Sequence, residues 1–405
     1  MRDAVIVSAA RTAVGKAPRG SLRETPPDAL AIAAVREAIA RAPGLDPAEI
    51  EDVILGCAMP EGAQGLNIAR HVALGAGLPT SSSAMTVNRF CASGLQSLAL
   101  ATQAVATGVV DVAIAGGMES MSLVPMIGHH FDPDPLLAAQ VPAVFMSMGL
   151  TAEAVAARYG VDREAQDAWA VRSHARAAAA QDAGRFRDEV VPVTALATLV
   201  ADGRPRVVET TFDLDEGIRR DTSAERLAAL APAFATGGTV TAGNSSQTSD
   251  GAAAMVVMTG ERAAALGLTP LGRLVSYATA GVDPEIMGIG PVEAVPKALA
   301  RAGLTLDDLA VVELNEAFAS QVIAVVRQLG FDEARTNPNG GAIALGHPLG
   351  ATGARLTVSL LAELARREAR YGMVTMCVGG GQGAAGVIEW LGGRQPARGA
   401  EPPAA

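Results

Sequence analysis

The sequence predicts an α/β protein made of two similar halves, and three observations lead to that prediction. Short apolar runs alternate with helical segments along most of the 405 residues, which is typical of α/β layers. Hydrophobic residues make up 49% of the chain and charged residues 18%, which is enough for a large core. The third observation is an internal repeat, displaced by about 260 residues.

Each copy of the repeat contains a helix, a turn and a strand. The matching apolar positions of the helix are Ile32, Val35 and Ile39 in the first copy and Val292, Val295 and Leu299 in the second. Leu45 then matches Leu304, and the strand-like run at 53–55 matches that at 311–314. Farther on, residues 112–117 are echoed by 374–379. Pro296 should kink the second helix or mark its true start.

The repeat divides the chain into predicted domains. Residues 1–118 with 245–270 form the first half, and residues 271–393 form the second. The segment 119–244, with a helix expected at 166–183 and few strand-like runs, is an insertion that covers a site or makes a structural excursion without ligand contact. Residues 394–405, rich in Gly, Pro and Arg, are expected to be a disordered tail. A site is expected between the two halves.

The composition argues against several classes of protein. Aromatic residues at 3% and a formal net charge of −10 disfavour nucleic-acid binding. Three cysteines, an odd number in a long chain, disfavour a secreted disulfide framework, and their separations do not resemble a zinc site. No export signal is apparent at the amino terminus, so a cytoplasmic enzyme fits best. Residues 90–110 are uncharged but contain six Ser, Thr and Gln side chains, so we expect a buried helix and a strand there and no membrane span.

Cys91 is the first candidate for chemistry. It follows a strand-like run and precedes a helical pattern, which places its thiol at a helix amino terminus. The helix dipole and free backbone N–H groups would there stabilise the thiolate, the form that attacks electrophiles. The alternative is a buried, inert cysteine.

His347 occupies nearly the same place in the second repeat. It lies in the glycine-rich turn 339–350 that leads into a helix expected at 351–364. If a pseudo-twofold axis relates the halves, the two helix amino termini converge and a cysteine meets a histidine. Otherwise His347 is a structural residue.

Cys377 ends the last buried strand and precedes the glycine-rich run 378–383, where backbone N–H groups can approach a ligand. A second thiol at that place could move protons. Cys57 also ends a strand but lacks such a loop, so we expect it only to pack. The glycine run has no helix and acidic residue after it, which argues against a dinucleotide site.

Four blocks of this sequence resemble, in order and spacing, the four signature blocks of the thiolases. They are Cys91-Ala92-Ser93, Asn315-Glu316-Ala317-Phe318, Gly346-His347-Pro348 and Cys377-Val378-Gly379. The resemblance extends to about residue 391. It implies the thiolase fold: two duplicated βαβαβαββ halves in a five-layered α/β/α/β/α core, with a loop domain inserted in the first half.

The resemblance also implies the roles of the catalytic residues. Cys91 would attack the 3-keto carbonyl of a 3-ketoacyl-CoA and become acylated as acetyl-CoA leaves. Cys377 would protonate the departing acetyl-CoA carbanion and then deprotonate incoming CoA. His347 would promote ionisation of Cys91 and, with a water held by Asn315, stabilise the enolate oxygen. The N–H groups of Cys91 and Gly379 would form a second oxyanion hole. No bound cofactor is implied, and coenzyme A is a co-substrate.

The match at the CoA side is weaker. Ser246 corresponds to a hydroxyl that contacts pantetheine, and Arg219 to a residue near the adenine, although Arg220 leaves that assignment uncertain by one position. A solvated surface pair of arginines is the alternative. Four residues match the walls around the thioester and acyl chain: Met148, Met287, Ala317 and Phe318.

Two departures indicate the sub-class. Biosynthetic acetoacetyl-CoA thiolases usually carry His where this chain has Ser147, and Ala-Gly-Asn-Ala-Ser-Gly where residues 244–250 are Asn-Ser-Ser-Gln-Thr-Ser-Asp. Both favour a degradative 3-ketoacyl-CoA thiolase of fatty-acid β-oxidation. The alternatives are an acetyl-CoA acetyltransferase restricted to four carbons and a non-catalytic thiolase-like acyl-CoA or lipid-binding protein. The family suggests a homodimer or homotetramer, and the sequence does not identify a β-oxidation complex partner.

Overall fold

Strands and helices alternate along the computed structural model, which describes residues 2–201 and 204–395. The strands are β1 Ala4–Thr12, β2 Gly15–Lys16, β3 Asp52–Gly56, β4 Ser83–Val87, β5 Val112–Ser120, β6 Val190–Val191, β7 Val193–Ala201, β8 Arg204–Phe212, β9 Ser249–Thr259, β10 Gly272–Gly281, β11 Leu309–Leu314, β12 Tyr371–Val378 and β13 Gln382–Trp390. The helices are α1 Pro27–Ala40, α2 Ile68–Ala76, α3 Ser93–Thr107, α4 Pro135–Gln140, α5 Met148–Tyr159, α6 Arg163–Asp182, α7 Ala224–Ala228, α8 Gly260–Ala265, α9 Gly290–Ala302, α10 Ala319–Leu329, α11 Ala342–Leu345 and α12 Leu349–Arg367.

The sheets show the duplication directly. The first half has the strand order β4-β3-β5-β9-β1, in which β3 is parallel to both neighbours and β9 is antiparallel to both. The second half has β11-β12-β13-β10, with β11 parallel to β12 and β13 antiparallel to both neighbours. A parallel bridge from Thr336 to Val312 stands where β4 stands in the first half. The two sheets meet where Ile6 pairs with Gly272.

Helices cover both sheets and fill the space between them. Helices α1 and α2 pack on the outer face of the first sheet, and α9 and α10 belong to the apolar cluster outside the second. Helices α3 and α12 contact each other in the central layer, where their leucines pack against both sheets. This is the expected five-layered α/β/α/β/α arrangement.

Glycines let α3 and α12 approach with their backbones in contact. A Cβ at Gly94 would lie 2.6 Å from the backbone nitrogen of Ala354, and one at Gly353 would lie 2.3 Å from that of Leu95. No side chain fits at either position without moving a helix. The close crossing brings the first turn of each helix to the seam between the halves.

Some local expectations need correction or stay untested. The inserted segment contains α6 close to the expected helix, but it also contains the antiparallel hairpin of β7 and β8. The apolar pattern does not predict this hairpin, because β8 is largely exposed and carries no buried apolar run. Pro296 lies inside α9, which begins at Gly290, so it does not mark the helix start. Residues 90–110 contain α3, but β5 begins just after them.

The predicted domain boundaries stay a prediction. Of the tail predicted at 394–405, residues 396–405 lie outside the described residues. Within residues 2–201 and 204–395, no helix combines the length and the apolar character that crossing a membrane requires.

Candidate active site

Cys91 lies in a tight turn, Phe90–Ala92, directly before α3. Phe90 has a φ of 42°, a conformation that non-glycine residues rarely adopt. The Asn88 side chain accepts the Phe90 N–H at 2.8 Å, and the Ser93 hydroxyl donates to the Phe90 carbonyl at 2.6 Å. These bonds hold the Cys91 thiol, whose residue is 8% exposed, at the amino terminus of α3.

The second thiol reaches the same place from the other half. Strand β12 carries Cys377 near its carboxyl end, where it is fully buried. The chain turns back into β13 through Gly380 and Gly381, which have φ values of 78° and 84°. The N–H groups of Gly379 and of Cys91 itself donate toward the Cys91 sulfur. The glycine loop of one half therefore contacts the thiol of the other.

His347 has a defined tautomer. Its Nδ1 lies 2.6 Å from the Thr352 hydroxyl oxygen, and that hydroxyl donates to the Pro348 carbonyl at 2.9 Å. A hydroxyl has one hydrogen, so Nδ1 carries the imidazole proton and Nε2 carries the lone pair. The Asn315 Nδ2 group lies 3.3 Å from Nε2. The buried Asn315 Oδ1 has no hydrogen-bond partner among the described residues, so it can accept from a bound molecule.

Burial controls the protonation of these groups. It raises the pKa of Cys91 to about 11, although the N–H groups of Gly379 and Cys91 oppose the shift. Burial also raises the pKa of Cys377 well above its ordinary value, and the nearby Cys91 adds to the effect. Burial, with the charge of Arg355, lowers the pKa of His347 to about 3. At neutral pH the site therefore holds two thiols and a neutral imidazole. For Cys91, the cost of burying a charge outweighs the expected stabilisation of the thiolate by the helix amino terminus.

This electrostatic state predicts how Cys91 alkylation depends on pH. With the pKa of Cys91 near 11, the thiolate fraction and the iodoacetamide rate should rise about tenfold per pH unit from pH 7 to 9. Titration of His347, with its pKa near 3, adds no inflection in that range. The measurement is the rate of Cys91 carbamidomethylation, followed by peptide mass spectrometry. A plateau between pH 7 and 9 would contradict the prediction.

The residues matched to the substrate side lie beside Cys377. The Ser246 N–H donates to the Ala317 carbonyl at 2.9 Å, and Ser245 pairs with Phe318 in an isolated bridge. The four expected wall residues share one apolar cluster with Cys377: Met148, Met287, Ala317 and Phe318. The structure thus brings the expected walls together at the second thiol.

The two neighbouring arginines differ in what they contact. Arg220 is exposed and pairs with Asp182 and Gln181, each at 2.8 Å. Arg219 is half-buried, and its backbone N–H donates to Nδ1 of His174 at 3.0 Å. Across residues 2–201 and 204–395, the Arg219 guanidinium forms no hydrogen bond or ion pair, so it is the more available of the two for a ligand. The surface-pair alternative describes Arg220 better than Arg219.

Sequence reasoning missed two residues that support the site. Thr352 fixes the His347 ring, and a hydroxyl five residues after a histidine gave little reason to expect that contact. Glu119 is fully buried near the end of β5. A carboxylate directly after the uncharged, strand-like run 112–118 was a usable signal. Cys57 packs in the core, and its sulfur lies 3.8 Å from Glu119.

The described residues do not gather a metal site. Among residues 2–201 and 204–395, no group of three His, Cys, Asp or Glu side chains is arranged to hold an ion. The groups in contact are instead the two thiols with the Gly379 N–H, and the His347 imidazole with the Asn315 amide; Leu349, two residues after His347, packs in the cluster that contains Cys91. They can perform nucleophilic attack, proton transfer and oxyanion stabilisation.

Comparisons with known proteins identify the family of the chain. The chain matches the thiolase N-terminal domain over residues 4–261 and the thiolase C-terminal domain over residues 268–390. It is 57% identical to a Bacillus subtilis protein named 3-ketoacyl-CoA thiolase, covering 96% of this chain and 100% of that protein. It is 48% identical to a Pseudomonas aeruginosa acetyl-CoA acetyltransferase, covering 95% and 98%.

Solved structures give the same result. The Bacillus anthracis acetyl-CoA acetyltransferase superposes with a TM-score of 0.86 at 40% identity, covering 96% of this chain and 99% of that one. Human mitochondrial 3-ketoacyl-CoA thiolase superposes with a TM-score of 0.85 at 38% identity and the same coverage. The duplicated five-layered fold, both domain matches and these relatives establish that the chain belongs to the thiolase family of acyltransferases.

Proposed function

We propose that this thiolase cleaves 3-ketoacyl-CoA with CoA to give acetyl-CoA and a shortened acyl-CoA. The observation that carries the proposal is the meeting of two buried thiols from opposite halves, with the Gly379 N–H directed at the Cys91 sulfur. Thiolysis needs a nucleophile and a separate acid/base for carbon and sulfur protons. The 57% identical relative named 3-ketoacyl-CoA thiolase supports the same assignment.

In the first half-reaction, Nε2 of His347 takes the Cys91 proton, and the thiolate attacks the keto carbon. The N–H groups of Cys91 and Gly379 stabilise the tetrahedral oxyanion. The C2–C3 bond then breaks, and its electron pair moves onto the acetyl-CoA unit as an enolate. The new Nε2–H of His347 and a water held by Asn315 stabilise the enolate oxygen. Cys377 gives its proton to C2, and acetyl-CoA leaves.

The second half-reaction reverses the proton movements. The Cys377 thiolate takes the proton of incoming CoA, and the CoA thiolate attacks the Cys91 thioester. Cys91 leaves as a thiolate and recovers its proton from His347. The raised pKa of Cys377 suits this role, because it keeps the thiol protonated until a carbanion forms.

The proposal includes a degradative role in β-oxidation. Supporting it are Ser147 and residues 244–250, and the apolar cluster of Met148 and Phe318 beside Cys377, which suits an acyl chain. An acetyl-CoA acetyltransferase restricted to four carbons is the second candidate, favoured by relatives with that name at 48% and 45% identity. A non-catalytic acyl-CoA binder is disfavoured because it would need no second thiol.

The proposal also covers the compartment, the oligomeric state and the CoA contacts of the enzyme. We propose a cytoplasmic enzyme, supported by three free cysteines. A homodimer or homotetramer is proposed from the family resemblance alone. Arg219 and Ser246 are the proposed contacts of CoA, supported by the free guanidinium and by the bond of Ser246 to the wall residue Ala317.

A chain-length series tests the proposed function. The assay measures CoA-dependent release of acetyl-CoA from 3-ketoacyl-CoA substrates of four to sixteen carbons. Equal or greater activity on the longer chains is the expected result. Activity confined to four carbons would favour the acetyltransferase, and binding without turnover at any length would favour the non-catalytic protein.

A further inference from the structure

Glu119 is a fully buried carboxylate with an unusually complete set of donors. Its Oε2 accepts the N–H groups of Ala58 at 2.7 Å and Gly350 at 2.8 Å. Its Oε1 accepts the Gln64 amide at 2.7 Å and the Met59 N–H at 3.2 Å. The Cys57 sulfur also lies 3.8 Å from Oε1, so Oε2 has two donors and Oε1 has three. Burial raises the pKa of Glu119, whereas these N–H donors oppose the shift and favour the ionised form.

A series of hydrogen bonds connects Glu119 to the turn that contains Cys91. The Ala58 carbonyl accepts the Asn88 side-chain amide at 2.9 Å, and the Asn88 side-chain oxygen accepts the Phe90 N–H. Ala58 and Cys91 also belong to the same apolar cluster. Three hydrogen bonds therefore connect Glu119 to the strained turn that presents the nucleophile.

A further hydrogen bond connects Glu119 to the end of α12 that lies next to His347. Gly350 is the second residue of α12, in the first turn of the helix, where backbone N–H groups lack partners within the helix. Glu119 supplies the missing acceptor from the opposite half of the molecule. His347 precedes Gly350 by three residues, so this bond fixes the helix end to which the imidazole is attached. Leu349, between them, packs in the cluster that contains Cys91.

We propose that Glu119 is a positioning residue that holds the His347 end of α12 against the Cys91 turn. The inference rests on the proposed function, because it assigns Glu119 to the same reaction. Glu119 does not touch substrate. Its ionised carboxylate also disfavours the nearby Cys91 thiolate, so its charge and its geometry act in opposite directions. This opposition allows the two effects to be separated.

The first variant is Glu119→Gln, which keeps the volume but replaces one acceptor oxygen with a donor. We expect kcat to fall about 10- to 100-fold with KM nearly unchanged, since small displacements of reacting groups cost about that much. Alkylation of Cys91 by iodoacetamide should fall by much less than kcat, because the loss of a nearby negative charge favours the thiolate and opposes the effect of a displaced His347. A kcat within about twofold of wild type, or a loss of alkylation as large as the loss of kcat, would overturn the proposal.

A second variant separates geometry from charge. Glu119→Asp keeps the carboxylate but is one methylene shorter, so its oxygens lie too far back to accept both the Ala58 and the Gly350 N–H groups. Its kcat should also fall with KM nearly unchanged, and recovery of wild-type kcat would show that charge alone matters. Glu363→Gln is the matched control, because Glu363 lies on the same helix, is 3% exposed and bonds to Asn339 at 3.0 Å, far along α12 from His347. Its kcat should match wild type.

These measurements distinguish the two proposals. A wild-type protein whose Cys91 is alkylated but which cleaves no 3-ketoacyl-CoA would refute the proposed function. An active wild type with an equally active Glu119→Gln variant would refute only the role of Glu119.

Discussion

Replacing Cys91 with alanine should reduce thiolysis by on the order of 10⁴- to 10⁶-fold, the scale seen when a covalent nucleophile is removed. No other side chain can substitute for it. The second site thiol, Cys377, lies on the proton-transfer side, and burial keeps it protonated. Alanine should fit the turn, because the bonds that shape it come from Asn88 and Ser93.

The matched control for this variant is Cys57→Ala, which removes another buried thiol from the same half. It should retain activity within about threefold, because Cys57 packs in a hydrophobic core cluster that contains neither Cys91 nor Cys377. Both variants should keep the far-ultraviolet circular dichroism and CoA binding of the wild type. Measurable turnover of Cys91→Ala above about one thousandth of wild type would mean that another group is the nucleophile.

Replacing Cys377 with alanine should lower kcat by about 10²- to 10⁴-fold, the range for loss of a general acid/base. The enolate would then leave without a proton donor, and CoA would arrive without a base. Cys91 should nevertheless remain alkylable at the wild-type rate, because its own turn and the N–H of Gly379 are unchanged. The measurements are steady-state acetyl-CoA release and the rate of Cys91 carbamidomethylation in one preparation.

Intact turnover in Cys377→Ala would refute the two-thiol mechanism. Loss of both turnover and Cys91 alkylation would indicate a damaged site instead of a missing proton carrier. His347→Ala gives the opposite pattern for comparison, since it removes the base and should slow Cys91 alkylation as well as turnover.

Much of the fold followed from periodicity alone. The match of Ile32, Val35 and Ile39 to the second copy is explained by α1 and α9, which occupy equivalent outer layers. The position of Cys91 before α3 followed from a run of small residues after a strand. The hairpin of β7 and β8 did not, because β8 is largely exposed and leaves no alternating apolar pattern.

The site was predictable as a set of residues but not as an electrostatic state. A cysteine at a helix amino terminus suggested a stabilised thiolate, whereas burial raises its pKa to about 11. Burial depends on contacts across the two halves, such as the backbone approach of Gly94 and Gly353, which no local pattern reveals. The support from Thr352 and Glu119 was missed for the same reason: each acts through tertiary hydrogen bonds.

The most direct test of the central claim is the location of the acyl group during turnover. The protein is mixed with a 3-ketoacyl-CoA in the absence of CoA, quenched in acid and analysed by intact and peptide mass spectrometry. The mechanism predicts one acyl group per chain, on the peptide that contains Cys91, formed together with one equivalent of acetyl-CoA and removed when CoA is added. An acyl group on Cys377 or Cys57, or full turnover without any acylated protein, would contradict it.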